Sequence, residues 1–204
     1  TMNSEQVFSI GHSNHDIEAF ISLLRCHGVT AIADVRSSPY SRFNPQFNRE
    51  FLARSLKQAG IQYVFLGREL GARSDNPACY DGGRVQYPLL ARTESFRSGL
   101  ERVKTGATQY RIALMCAEKE PLDCHRTLLV SQALVEDGVS VSHIHSDGRL
   151  EMHADALLRL LDVVGLPRED LFRPQEDLLA EALQRQEARV AYVDAELARQ
   201  AAAA

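Results

Sequence analysis

Short apolar runs alternate with amphipathic segments along most of the chain. The apolar runs cover residues 7–10, 29–33, 61–65, 112–116 and 139–144. Each run has the length of a buried strand. The segments between them repeat apolar residues every three or four positions, which is typical of helices. These helical segments cover about 17–26, 48–58, 96–103, 124–135 and 155–164, and Ser13 or Asn14 is the expected cap of the first.

Strands that alternate with helices favour a parallel sheet. We therefore predict an α/β fold with a single domain, a mainly parallel open sheet, helices on both faces and a C-terminal helical tail. The expected boundaries are an N-terminal extension at 1–6, the α/β domain at 7–166 and a charged, Ala-rich helical tail at 167–204. Because Thr1 precedes Met2, we expect Thr1 to be a cloning remnant.

Residues 67–87 lack periodicity and are rich in Gly, so we predict a long loop there. Loops of this length inside a compact domain often carry function.

Composition and charge limit the classes of protein to which this chain can belong. The chain has 204 residues, of which 45% are hydrophobic and 25% charged, and this balance suits a soluble domain with a sizeable core. The formal net charge of -4 argues against strong non-specific attraction to nucleic acid. No apolar run is long enough for a membrane span, and no secretory signal is evident, so we expect a cytoplasmic protein with its four cysteines reduced.

Polar clusters follow the predicted strands. They are Gly11–Asn14, Asp34–Arg36, Cys116–Glu118 and His143–His145. Parallel strands bring their carboxyl ends to the same edge of a sheet, where ligands usually bind. We therefore expect these clusters to share one site.

Three arginines, Arg36, Arg42 and Arg126, are candidates for an anion clamp, because guanidinium offers a rigid fork of donors to phosphate or carboxylate. The full expected set of substrate-binding residues is Ser13, Asn14, Asp34, Arg36, Ser41, Arg42, Cys124 and Arg126. In the alternative interpretation, Asp34 and Arg36 flank an ordinary loop and Arg126 pairs with Glu118.

Four residues are candidates for catalysis: Cys116, Glu118, His12 and His125. A cysteine near a helix N-terminus and arginines can become a thiolate nucleophile, with histidine or glutamate moving protons. Free cysteine is also often a small buried hydrophobe. Cys116, Cys124 and the histidines could instead bind zinc or iron, but the seven intervening residues match no compact zinc motif, so a metal is not favoured.

Five motifs in order resemble a prokaryotic family, the domain of unknown function 488. They are Ile10–Asn14, Asp34–Arg36 with Pro39, Ser41 and Arg42, Leu66–Gly71, Cys116–Glu118 with Cys124–Arg126, and His143–His153. The resemblance covers roughly residues 7–160 and leaves the charged tail outside. It implies that the clusters named above are the motif positions of the family, and it implies no particular activity.

Three functions remain open at this point. The first is an enzyme, such as a hydrolase or transferase using the Cys/His/Glu cluster, that acts on a phosphate-bearing small molecule or nucleic acid. The second is a regulatory module that binds nucleotide or nucleic acid without turnover. The third is a thiol-based redox or sulfur-transfer protein. We expect no membrane partner, and the C-terminal helix is a candidate for self-association.

Overall fold

A six-stranded sheet carries helices on both faces in the computed structural model, which describes residues 6–204. Its strands are β1 (Gln6–Gly11), β2 (Ala31–Asp34), β3 (Gln62–Phe65), β6 (Ile112–Cys116), β7 (Ser140–Ile144) and β8 (Leu150–Met152). A separate two-stranded hairpin consists of β4 (Tyr80–Asp81) and β5 (Arg84–Val85). The predicted α/β class is confirmed.

The helices follow the strands in the expected alternation. They are α1 (Ile17–Cys26), α2 (Arg49–Gln58), α3 (Gly67–Leu70), α4 (Tyr87–Leu90), α5 (Glu94–Ala107), α6 (Gln132–Glu136), α7 (His153–Val164), α8 (Gln175–Val190) and α9 (Ala195–Ala202). A π-helical segment, Arg126–Ser131, leads directly into α6. The segment predicted as one α-helix over 124–135 is therefore half π-helix, a conformation that is frequent at functional sites.

The main sheet has the strand order β3-β2-β6-β1-β7-β8. All neighbouring pairs are parallel except β7 with β8, so the mainly parallel sheet is confirmed. The antiparallel edge strand β8 was not predicted, because its three residues are too few to show periodicity.

Strand β6 lies inside the sheet and is buried at every position. Leu114 belongs to the core under α5, α6, α7 and α8, whereas Met115 belongs to the core under α1 and α2. This burial on both faces explains why β6 is a continuous apolar run.

Two local expectations differ from the structure. Helix α1 is capped by the Asp16 carboxylate, which accepts a hydrogen bond from the backbone N–H of Ala19 at 2.7 Å, and not by Ser13 or Asn14. The predicted loop at 67–87 contains α3, the β4–β5 hairpin and the start of α4. Gly82 and Gly83 form the tip of the hairpin with φ angles of 56° and 82°, which glycine adopts without steric cost.

The C-terminal segment is helical, as predicted, and α8 packs against α7. Leu178 and Ala182 on α8 are fully buried in the core. The buried amide of Gln186 donates hydrogen bonds to the Leu122 carbonyl at 2.9 Å and to Asp123 Oδ1 at 3.1 Å. Helix α8 is thus an integral part of the domain core and not a free tail.

Among the helices described, none combines the length and the apolar character required to cross a membrane. The predicted N-terminal extension falls almost wholly on residues 1–5, which lie outside the described residues.

Replacing Leu178 with Ala should destabilise the whole domain by about 2–5 kcal/mol, because the substitution leaves a cavity in the core where α8 packs against α7. Urea unfolding followed by circular dichroism measures this change. The matched control is Leu171→Ala, since Leu171 is 89% exposed and its loss should leave stability within about 0.5 kcal/mol of the parent. Equal stability of the two variants would show that α8 does not contribute to the core.

Candidate functional site

The candidate site lies at the carboxyl ends of β1 and β6, two neighbouring parallel strands. Helix α1 follows β1 and packs on one face of the sheet, whereas the π-helical segment and α6 follow β6 and pack on the other. In an open α/β sheet this divergence creates a crevice in which ligands bind. The expectation that polar clusters converge here therefore has a topological basis.

Two backbone contacts hold the segment after β6 against the end of β1. The His12 N–H donates to the Cys116 carbonyl, and the Ser13 N–H donates to the Ala117 carbonyl, both at 2.9 Å. A Cβ on Gly11 would lie 1.8 Å from the Glu118 carbonyl oxygen, so only glycine permits this approach. Cys116 and Glu118 are therefore held in place by the backbone of β1.

Cys116, Cys124 and His125 form a buried cluster at this point. The Nδ1 atom of His125 lies 3.6 Å from the Cys116 sulfur and 3.8 Å from the Cys124 sulfur. All three atoms lie within 4.8 Å of one another. The sequence analysis grouped Cys116 with His125 for catalysis and all three residues as possible metal ligands. The fold brings them together where the end of β6 meets the turn before the π-helical segment.

The orientation of His125 is set by one backbone hydrogen bond. Its Nε2 lies 2.9 Å from the Val35 carbonyl oxygen, which can only accept, so Nε2 carries a proton. Nδ1 is then free to accept a proton from a thiol. Although burial lowers the pKa of His125, the adjacent Cys124 sulfur raises it above its ordinary value overall.

The surroundings shift the pKa values of the two thiols in opposite directions. Burial opposes ionisation of Cys124, but the hydrogen bond from the Cys116 thiol and the charge of Arg126 hold the pKa of Cys124 well below its ordinary value. The backbone N–H of Arg126 also donates to the Cys124 sulfur at 3.4 Å. The pKa of Cys116 is raised by its hydrogen bond to the Cys124 sulfur and by burial. These surroundings make Cys124 the more readily ionised of the two thiols.

Glu118 lies at the border between this cluster and solvent. The residue as a whole is exposed, while its carboxyl lies beside both thiols. Loss of hydration and the nearby Cys124 raise the pKa of the Glu118 carboxyl. A carboxyl with a raised pKa can carry protons between a buried cluster and water, and this role of Glu118 stays a prediction.

Arg126 is a fully buried cation. Its Nη1 donates to the Glu118 backbone carbonyl at 2.8 Å, and its Nε donates to Ser9 Oγ at 3.3 Å. Nη2 has no hydrogen-bond partner within residues 6–204. Arg126 therefore contacts the backbone of Glu118 and not its carboxylate. Among the described residues, no salt bridge includes Arg126.

A chain of buried hydrogen bonds runs from Arg126 across the sheet. The Ser9 hydroxyl donates to His143 Nδ1 at 2.6 Å, His143 Nε2 donates to His153 Nδ1 at 3.0 Å, and His153 Nε2 donates to Gln132 Oε1 at 2.9 Å. Burial holds the pKa of His143 well below its ordinary value and lowers that of His153 to about 4. Both rings are therefore neutral at neutral pH, and every donor in the chain points away from the Arg126 charge.

Arg36 is committed to Asp34 and is not available as an anion clamp. Its Nε and Nη2 donate to the two Asp34 oxygens at 2.9 and 2.7 Å, and Nη2 also donates to the Phe47 carbonyl. Asp34 further accepts a hydrogen bond from the Tyr63 hydroxyl at 2.7 Å. This ion pair is buried. Its geometry therefore fits the interpretation in which Asp34 and Arg36 shape the loop better than the one in which Arg36 binds an anion.

His12 is adjacent to this ion pair. Its Nδ1 donates to the Ser13 carbonyl at 2.8 Å, and its Nε2 accepts from Arg36 Nη1 at 3.3 Å. The ring stacks on Phe47, and burial lowers the pKa of His12 to about 4. Because both ring nitrogens are engaged, His12 has no free lone pair with which to act as a base.

The remaining candidates are on the surface near the cluster or in the following loop. Arg42 is exposed and lies over the Phe43 ring, 5.8 Å from its centre, so the structure does not bring the three arginines together. Ser41 accepts a hydrogen bond from the Asn44 N–H and thereby shapes the loop. Ser13 has a φ of 49° and donates to the exposed Asn14 side chain.

Sequence reasoning missed Ser9 and Tyr63 and left the role of His143 and His153 open. Ser9 is a polar residue inside the apolar run of β1, and a fully buried hydroxyl requires a partner. That signal could have identified Ser9. The long-range pairing of His143 with His153 leaves no local pattern.

A cavity of about 880 Å³ lies on the outer side of the π-helical segment. Tyr87, Leu128, Gln132 and Glu187 contribute to its lining. Gln132 therefore links this cavity to the hydrogen-bond chain that starts at Arg126. The cavity does not include the cysteine cluster.

Cys116, Cys124 and His125 are also the one group of side chains in residues 6–204 whose donor atoms are close enough to hold a metal ion. Thiolate sulfur and imidazole nitrogen are ligands that suit zinc. The chemistry of this donor set therefore includes both thiol reactions and metal binding.

Comparison with known proteins identifies the family. The model of the family described as "Domain of unknown function DUF488" matches residues 16–133, which is more than half of the chain. The chain belongs to this family, and the resemblance stated from its motifs is confirmed. No curated protein and no solved structure matched the chain.

The buried histidines should make the stability of the protein depend on pH. The folded-state pKa of His12 and of His153 is about 4, below the value near 6.5 of an unfolded chain. Between these values the unfolded state binds more protons, so stability falls as pH decreases, by about 2 kcal/mol per histidine from pH 7 to pH 5. Urea unfolding at both pH values measures this loss.

The variant His153→Gln isolates one of these contributions. It should lose part of the decrease in stability between pH 7 and pH 5 that the parent protein shows, since it removes one group that protonates on unfolding. An unchanged decrease in the variant would contradict the neutral, buried state of His153.

Proposed function

We propose that the protein is a thiol-dependent enzyme in which Cys124 and Cys116 act as a dithiol pair on a sulfur-bearing substrate. One observation carries this proposal: His125 Nδ1 faces both sulfurs at 3.8 and 3.6 Å while its other nitrogen is held by Val35. An imidazole in this orientation can take a proton from one thiol and deliver it to a leaving group.

Three groups favour Cys124 as the attacking sulfur. The backbone N–H of Arg126 donates to it, His125 accepts its proton, and the buried guanidinium of Arg126 supplies positive charge. Such surroundings are typical of reactive cysteines. By contrast, Cys79 is a buried thiol in the core around α5, and Cys26 is an exposed thiol on α1. These two cysteines serve as internal references.

Cys116 supplies the second thiol. Its sulfur lies within 4.8 Å of that of Cys124, so a small movement brings the two to bonding distance. In the proposed reaction the Cys124 thiolate attacks one sulfur of a substrate disulfide, and the leaving sulfur takes the proton of protonated His125. Cys116 then attacks the Cys124 sulfur, and its own proton passes to the second substrate sulfur. The substrate gains two electrons and two protons, and the protein is left with a Cys116–Cys124 disulfide.

This proposal should appear as a specific disulfide on mild oxidation. Treating the reduced, metal-free protein with oxidised glutathione should link Cys116 to Cys124. The substitution His125→Gln should slow this step about three- to fourfold for each pKa unit that the attacking thiol gains, because the loss of thiolate is partly offset by higher nucleophilicity. Trypsin cleaves after Lys119, between the two cysteines, so mass spectrometry identifies the linked peptides directly.

Cys26 and Cys79 are the internal references for the disulfide-formation experiment. Cys26 should react as an ordinary exposed thiol, and Cys79 should stay unreacted unless the protein unfolds. Recovery of Cys116 and Cys124 in separate peptides after Cys26 has fully reacted would contradict the dithiol proposal.

A second candidate function, an enzyme or binding module for a phosphate-bearing ligand, now depends on Arg126. The supporting observation is the buried Nη2, which lacks a hydrogen-bond partner among residues 6–204. Arg36 is occupied by Asp34, and Arg42 is exposed, so neither adds to this candidate.

Phosphate binding at Arg126 should raise the melting temperature of the protein. Inorganic phosphate or adenosine monophosphate is added at constant ionic strength, and the parent protein should be stabilised in proportion to the logarithm of ligand excess. Arg126→Lys keeps the charge but loses the second donor arm, so this variant should lose the stabilisation. Absence of a shift in the parent with either ligand would reject this candidate.

A further inference from the structure

We propose that the reduced cluster of Cys116, Cys124 and His125 binds one zinc ion, and that this ion protects the two thiols from oxidation. The metal site is inferred from the arrangement of the three side chains alone. Its protective role rests on the proposed dithiol function.

The distances between the donor atoms match those around a tetrahedral ion. Zinc lies about 2.3 Å from sulfur and about 2.0–2.1 Å from nitrogen, which places sulfur and nitrogen ligands about 3.6 Å apart. The separations of His125 Nδ1 from the two sulfurs are 3.6 and 3.8 Å. Sulfur ligands of zinc lie about 3.8 Å apart, and the two sulfurs here lie within 4.8 Å of each other. A single ion can therefore contact all three donors after only small adjustments.

The atoms around the cluster also suit a metal. The Val35 carbonyl holds the Nε2 proton of His125, so the lone pair of Nδ1 points toward the sulfurs. A backbone carbonyl that orients a histidine in this way is the usual outer partner of a metal ligand. The Arg126 N–H donates to the Cys124 sulfur at 3.4 Å and stabilises the negative charge of a bound thiolate.

The charges and the solvent access of the cluster favour a zinc ion that takes its fourth ligand from outside the three side chains. Two thiolates cancel the charge of a divalent ion. The neighbouring Glu118 is exposed to solvent, so water can supply the fourth ligand. Thiolate and imidazole donors select zinc over calcium or magnesium.

The other buried histidines do not compete for the ion. His143 has both ring nitrogens in hydrogen bonds, to Ser9 and to His153. His12 likewise uses both nitrogens. Among these three buried histidines, His125 alone directs a nitrogen at the thiols.

Metal binding and disulfide formation exclude each other at this site. A Cys116–Cys124 disulfide removes both sulfur donors, since each sulfur then shares its electron pair in the new bond. Conversely, a bound ion occupies the lone pair with which Cys124 would attack. Oxidation should therefore release zinc, and zinc should slow oxidation.

Titration with Co²⁺, which binds zinc sites and has a visible spectrum, tests the metal site without an activity assay. The reduced, chelator-treated protein should bind one equivalent, with sulfur-to-cobalt charge-transfer absorption and the intense visible bands of a tetrahedral ion. One equivalent of Zn²⁺ should abolish these bands. Cys116→Ser and His125→Gln should each weaken binding by at least about 100-fold, because each removes a direct ligand.

The control is Cys26→Ser, which removes an exposed thiol far from the site and should leave the titration unchanged. A parent protein without charge-transfer absorption, or one whose spectrum survives Cys116→Ser, would overturn the metal site. The protective role is measured separately: zinc-loaded protein should form the Cys116–Cys124 disulfide at least tenfold more slowly than metal-free protein, and a chelator should restore the rate. Disulfide formation in metal-free protein decides the dithiol function by itself, so the two proposals can fail independently.

Discussion

The burial of one positive charge organises the centre of this protein. Arg126 is fully enclosed, and a buried guanidinium is costly unless its donors and its charge are compensated. The compensation comes from three parts of the chain: the hydroxyl of Ser9 on β1, the carbonyl of Glu118 after β6, and the sulfur of Cys124. The same contacts that make Arg126 tolerable hold these three segments at fixed distances, and they set the electrostatic surroundings of both thiols.

The cluster lies directly beneath a short exposed segment. Ala117, Glu118 and Lys119 are exposed, whereas Cys116 before them and Cys124 after them are buried. The backbone of this segment is attached to β1 through Ser13 and to the helical segment through Arg126. Access to the thiols therefore depends on the same few hydrogen bonds that position them.

The sequence predicted those features that depend on residues close together along the chain. The apolar period of α1 predicts its bounds at residues 17 and 26, and the continuous apolar run of β6 predicts its burial on both faces. The convergence of polar groups at one edge also follows from parallel topology. The sequence could not show which arginines face a ligand. Arg36 forms an ion pair with Asp34, and Arg42 points outward. The direction of a side chain depends on partners that are distant in sequence, such as Tyr63 and Phe47 around the Arg36 pair.

The π-helical segment determines which side chain completes the buried chain of hydrogen bonds. Its Ser131 hydroxyl donates to the Arg126 carbonyl at 2.6 Å, and Gln132, the next residue, accepts from His153. A π-turn contains one residue more than an α-turn, and each residue turns an α-helix by about 100°. Loss of a single residue between positions 126 and 131 would therefore be absorbed as the π-turn becomes a regular α-turn, and residue 132 would keep its direction toward His153. A second loss would find no extra residue to remove, and it would turn everything that follows by about 100°.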